Sequence, residues 1–162
     1  MQGQAMILGL SIGAFTQFHV ALSLVGIVTG LVVLGSMIAG RMSAAWTGVF
    51  LATTVLTSVT GFLFPASALL PSHIFGILSL VLLAAALFAL YGRHLAAPWR
   101  TVYVVTAAIA LYLNCFVGVV QSFLKLGFLQ SAGAAAQGAA QGVLLVAFLV
   151  LGFLAVRRFR AG

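Results

Sequence analysis

His19 and His73 are the residues of this chain best suited to bind something. Two imidazoles on separate helices at similar depth are the minimum for bis-imidazole ligation of a b-type haem, or for part of the ligand set of a copper or zinc ion. Asn114, Gln121 and Gln141 add carboxamides, Thr60 a hydroxyl, and Lys125 an ammonium that could draw an anionic ligand or a quinone headgroup toward Gln121. Blander roles compete with these. A histidine inside a membrane also packs against neighbouring hydroxyls, and a lysine near a helix end snorkels to headgroups. His94, beside Arg93, reads as a solvated loop residue, and the lone Cys115 as a small packing residue.

The absence of one chemistry is as telling. The 162 residues include no Asp or Glu. A glycosidase pair, a Ca²⁺ or Mg²⁺ site, the usual buried proton relay and the orienting member of a serine triad all need a carboxylate. No H-E-x-x-H motif is present either. A non-enzymatic role is therefore expected.

The elements that must position these groups are membrane helices. Hydrophobic residues make up 64% of the sequence, and the mean hydropathy is +1.31. A bilayer-spanning helix needs about 20 apolar residues, and five such runs are read at 15–39, 45–66, 72–92, 101–125 and 134–156. Breaks between them fall at Gly40-Arg41, at Pro65 through Pro71, at Gly92-Arg93 with Pro98, and from Lys125 to Gly133. The expected fold is an all-α, single-domain bundle of five transmembrane helices covering 1–162. The run from Ala5 to Ala39 is too long for one straight span, and Gly9 and Gly13 could break it. Residues 1–14 would then form an interfacial segment in whole or part. No basic n-region marks a cleavable signal peptide there.

The net charge of +7 comes from Arg41, Arg93, Arg100, Lys125, Arg157, Arg158 and Arg160. Each lies near the end of an apolar run, so they make a lipid-headgroup and topology set rather than a nucleic-acid groove. Placing the C-terminus in the cytoplasm puts all of them inside except Lys125, which predicts the N-terminus outside. Under that orientation His19, Thr60, His73, Gln121 and Gln141 all fall near the outer ends of their helices. A polar pocket opening outward is the expectation.

Helical spacing refines the picture. His19, Ser23, Gly26 and Gly30 share one face, and its Gly-x-x-x-Gly pair predicts close helix packing. Asn114, Gly118, Gln121 and Lys125 repeat the pattern on the fourth helix. In the second, Thr53, Thr57 and Thr60 share one face and Thr54, Ser58 and Gly61 another; hydroxyls bonded back to their own helix are expected. Gln130, Gln137 and Gln141 align only if the last helix reaches that far outward.

The segments 47–65, Ser72-His73-Ile74-Phe75-Gly76-Ile77, 111–114 and 121–125 resemble a group of small, uncharacterised bacterial polytopic inner-membrane proteins. The resemblance implies a multi-pass location in a bacterial inner membrane and no particular activity. The leading expectation is an accessory or assembly subunit, or a small-ligand-binding protein, embedded in the lipid bilayer with other membrane subunits or its own copies. A redox protein holding haem b or quinone through His19 and His73 is the alternative, and a passive transporter of a small solute the third.

Overall fold

The computed structural model describes residues 6–65 and 71–159, so Arg160 lies outside the described residues. A two-stranded hairpin of β1 (Met6–Ile7) and β2 (Leu10–Ser11) leads into α1 (Ile12–Ile38). Leu8 and Gly9 join the strands with φ of 53° and 80°, the positive values that a tight two-residue hairpin turn demands. Gly9 therefore breaks the long apolar run, whereas Gly13 is inside the helix. Ser11 caps α1 by accepting from the Ala14 amide at 3.2 Å.

At the other end of α1 the chain turns through Gly40, with φ +72°. The Gly40 amide donates to Met37 O and the Arg41 amide to Ser36 O, both at 2.9 Å. These two bonds satisfy carbonyls that the helix end would otherwise orphan, and glycine accepts the left-handed geometry without strain. Helix α2 (Ala44–Gly61) stops short of the expected 66. Pro65 disfavours helical backbone at the preceding residue, and Phe62 and Leu63 tighten into i→i−3 bonds instead.

Helix α3 (Pro71–Leu87) continues into a π-helical turn at Phe88–Gly92. There the Arg93 amide reaches Phe88 O at 3.0 Å. Helix α4 (Trp99–Lys125) is followed by the single turn α5 (Gly127–Gln130) and by α6 (Gly133–Arg158). Gln130 thus belongs to α5, where its amide caps Leu124 O, and is not part of a continuous α6 stripe. Arg157 and Arg158 occupy the last turn of α6, where cations face the negative end of the helix dipole.

Five helices, Ile12–Ile38, Ala44–Gly61, Ser72–Gly92, Trp99–Lys125 and Gly133–Arg158, are long and apolar enough to cross a membrane. They form one bundle in which α4 is central, packed on α3, α6 and α1, while α1 pairs most extensively with α2. Between α1, α2 and α4 the backbone approach is close. A Cβ on Gly30 would stand 2.5 Å from Leu111 Cδ1 and 2.8 Å from the Phe50 ring.

The bundle has two unlike ends. One carries the α1–α2 and α3–α4 connections, Arg41, Arg93, Arg100, Arg157 and Arg158, and a dense core around Phe50, Leu83, Tyr103, Leu111 and Phe159. Arg93 lies 5.3 Å from the Trp99 ring and Arg157 5.5 Å from the Phe153 ring. The other end, where α1 begins, α2 ends and α3 starts, is polar inside.

Candidate functional site

His19 is on the second turn of α1, facing the last turn of α2. Its Nδ1 lies 2.8 Å from Thr60 Oγ1. The single Thr60 proton is directed at its own helix, to Leu56 O at 2.7 Å with a longer branch to Thr57 O at 3.2 Å. The hydroxyl must then accept from Nδ1–H, and Nε2 keeps an open lone pair. Phe64 holds the imidazole from the side, edge-on at 5.3 Å, and itself rests on Phe15 at 5.1 Å. Thr60 therefore acts from behind His19 and orients it.

Deeper along the same face, Ser23 Oγ donates to Asn114 Oδ1 at 2.7 Å, and Asn114 Nδ2 returns a longer bond to Ser23 O at 3.4 Å. This reciprocal clamp ties α1 to α4 with the amide almost wholly buried. Gly26 lets the three helices meet there. A Cβ on it would be 3.1 Å from Thr54 Oγ1 and 3.2 Å from Asn114 Nδ2. On α3, the His73 ring stacks on Phe62 at 5.6 Å and 12°. Phe62 in turn lies over Gly76, whose missing side chain makes room for it.

These groups surround a cavity of about 100 Å³. Helix α1 supplies His19 and Ser23; α2 supplies Thr54, Thr57, Ser58 and Gly61. Helix α3 adds His73, Gly76 and Ser79, and α4 adds Asn114 between Leu113 and Val117. The α2 hydroxyls bond back to their own helix: Thr54 to Phe50 O at 2.7 Å, Thr57 to Thr53 O at 2.8 Å and Ser58 to Thr54 O at 3.0 Å.

No family model, curated protein or solved structure matches this chain. Its own geometry must carry the argument.

Of the expected site residues, His19, His73 and Asn114 line the cavity and Thr60 supports it. Gln121 and Lys125 do not line it. Both are exposed. Gly118 still meets α1, 3.5 Å from Ile27 through a notional Cβ, but one turn further the stripe faces outward. Gln141 is also elsewhere: its Nε2 donates to Phe116 O at 3.0 Å and clips α6 to α4. His94 is exposed in the α3–α4 connection with φ 48°, and Cys115 is buried in the apolar core. Ser79 was not anticipated as a lining residue. The signal was present, since Ser72, Gly76 and Ser79 fall on one α3 face at helical spacing.

Two imidazoles at one cavity fall short of a metal cluster, and no group of three or more potential ligand side chains exists among the described residues. The volume decides more. A cavity of roughly 150 Å³ is what benzene occupies, and this one is about 100 Å³. That is the scale of a small molecule. What the arrangement can do is hydrogen-bond a small molecule between four helices.

Proposed function

We propose that this chain is a multi-pass protein of a bacterial inner membrane that binds a small molecule in the α1–α4 cavity without turning it over. One observation carries the reading. Residues far apart in sequence converge on a single polar cavity: His19 meets a group 41 residues away and Ser23 one 91 residues away. Burying polar groups among apolar helices is costly unless they serve a partner or a ligand. A bundle needing only stability would do as well with aliphatic side chains at those positions.

The orientation follows from charge. With Arg41, Arg93, Arg100, Arg157 and Arg158 at one end and Lys125 near the other, the positive-inside bias puts the arginine end in the cytoplasm and the cavity toward the outer face. The absence of Asp and Glu from the sequence removes the carboxylate bases and relays that turnover or proton coupling would use.

Single cysteines at Thr57, Ser58 and Ser79, in a Cys115→Ser background, test both statements in intact cells. A small impermeant thiol reagent added outside should label at least two of these positions, while a cysteine at Thr47 stays unlabelled. Labelling only after the cytoplasmic face is opened would reverse the orientation. Three unreactive lining cysteines in folded protein would remove the binding cavity.

A further inference from the structure

The hydrogen-bonding groups around the cavity are not evenly divided. On the α1–α2 wall the donors are already used. Thr54, Thr57 and Ser58 each commit their proton to a backbone carbonyl of α2, Ser23 commits its own to Asn114, and His19 donates from Nδ1 to Thr60. Each hydroxyl oxygen keeps lone pairs, and His19 keeps Nε2. This wall can only accept.

The α3–α4 wall differs in retaining donors. Ser79 Oγ has no hydrogen-bond partner among the described residues, although the residue is only 7% exposed and lines the cavity. Asn114 uses one N–H in the long bond to Ser23 O and retains the second. Donors are available here and almost nowhere else in the cavity.

From this polarity we infer that the cavity takes a small uncharged molecule of the amide or urea class, with its N–H groups toward α1 and α2 and its carbonyl toward Ser79 and Asn114. The inference rests on the ligand-binding reading above. Size agrees with it: scaling from benzene, about 100 Å³ suits a molecule of roughly four non-hydrogen atoms. Charge agrees as well. A cation would be buried in a chain with no carboxylate to pair it, and an anion would face a wall of lone pairs. Phe62 and Phe75 add apolar wall without offering polar contacts.

Full-length protein in lipid nanodiscs, labelled with ¹⁵N-histidine, provides the test. Four probes of nearly equal size are titrated: urea, acetamide, acetate and guanidinium. Urea and acetamide should move the His19 Nε2 resonance saturably, while acetate and guanidinium leave it in place. Ser79→Ala should weaken acetamide about fivefold, the worth of one hydrogen bond, and leave the His19 tautomer unchanged. Thr57→Val should weaken it similarly, which guards against a defect peculiar to one variant. Saturable binding of acetate or guanidinium in place of the amides would overturn the ligand class and leave the cavity a binding site. No response to any probe, with lining cysteines that still label, would also overturn the class. No response with unreactive cysteines would fail the binding reading itself.

Discussion

The arginine end and the cavity end of this bundle are built from the same five helices, yet they use side chains differently. At the arginine end, Gly30 brings α1 against Phe50 and Leu111, and the space is filled with aliphatic and aromatic groups. Polar atoms there are incidental: the Thr47 and Tyr103 hydroxyls are buried side by side without a well-formed hydrogen bond. At the cavity end, Gly26 brings the same helices together, but the atoms around it are Thr54 Oγ1, Thr53 Oγ1 and Asn114 Nδ2. The hydroxyls of α1 and α2 there are each engaged in a specific direction, and space is left over. One end is closed for stability; the other gives up packing for an arrangement of lone pairs and donors.

The largest test of this contrast is Gly30. A methyl group at 2.5 Å from Leu111 Cδ1 cannot be absorbed without shifting α1. Gly30→Ala should cost about 1–3 kcal/mol of stability, the usual penalty of overpacking, read from unfolding in detergent. Gly35→Ala, with nothing within 4 Å of the new atom, is the matched control and should be near neutral. Equal effects from the two would break the claim that this crossing is tightly packed.

Next in size is the Ser23–Asn114 clamp. A double-mutant cycle with Ser23→Ala and Asn114→Ala should return a coupling of about 0.6 kcal/mol, the average for hydrogen bonds between membrane helices, and at most about 1.7 kcal/mol. A coupling near zero would mean the clamp contributes positioning and no stability.

Smaller still is the opposite sign expected at the arginine end. Tyr103→Phe removes a buried hydroxyl that lacks a good partner. It should be neutral or stabilise by about 1 kcal/mol; a clear loss of stability would show that the Thr47–Tyr103 pair matters after all. Gln121→Ala should be the quietest, within about 0.5 kcal/mol, because Gln121 is exposed on α4. Thr60→Val, finally, should barely change stability but should release His19 into a mixture of tautomers, visible in its ¹⁵N shifts.

Much of the helical layout is legible in the sequence because its signals are local. Gly40 marks the end of α1 through a left-handed turn that only its own backbone must satisfy, and Pro65 limits α2 through its neighbour. Apolar length alone predicts five crossing helices. The face of His19, Ser23, Gly26 and Gly30 is also readable, since spacing of four, three and four is a property of one helix. The same reasoning overreaches on α4, where Gln121 and Lys125 share a face with Asn114 and yet are exposed outside the cavity.

What the sequence determined by itself is therefore which helices form, where they stop and which face of each carries polar groups. It also determined that no carboxylate would enter any site. Which faces meet, and at what height, was decided only in three dimensions. Helical phase recurs every turn along the whole length of a helix, so it cannot say where a neighbour ends. The crossing of α1, α2 and α4 at Gly26 and Gly30 sets that height. It places His19 on Thr60, Ser23 on Asn114 and Ser79 across from the α2 hydroxyls, and it leaves Gln121, Lys125 and Gln141 outside the cavity.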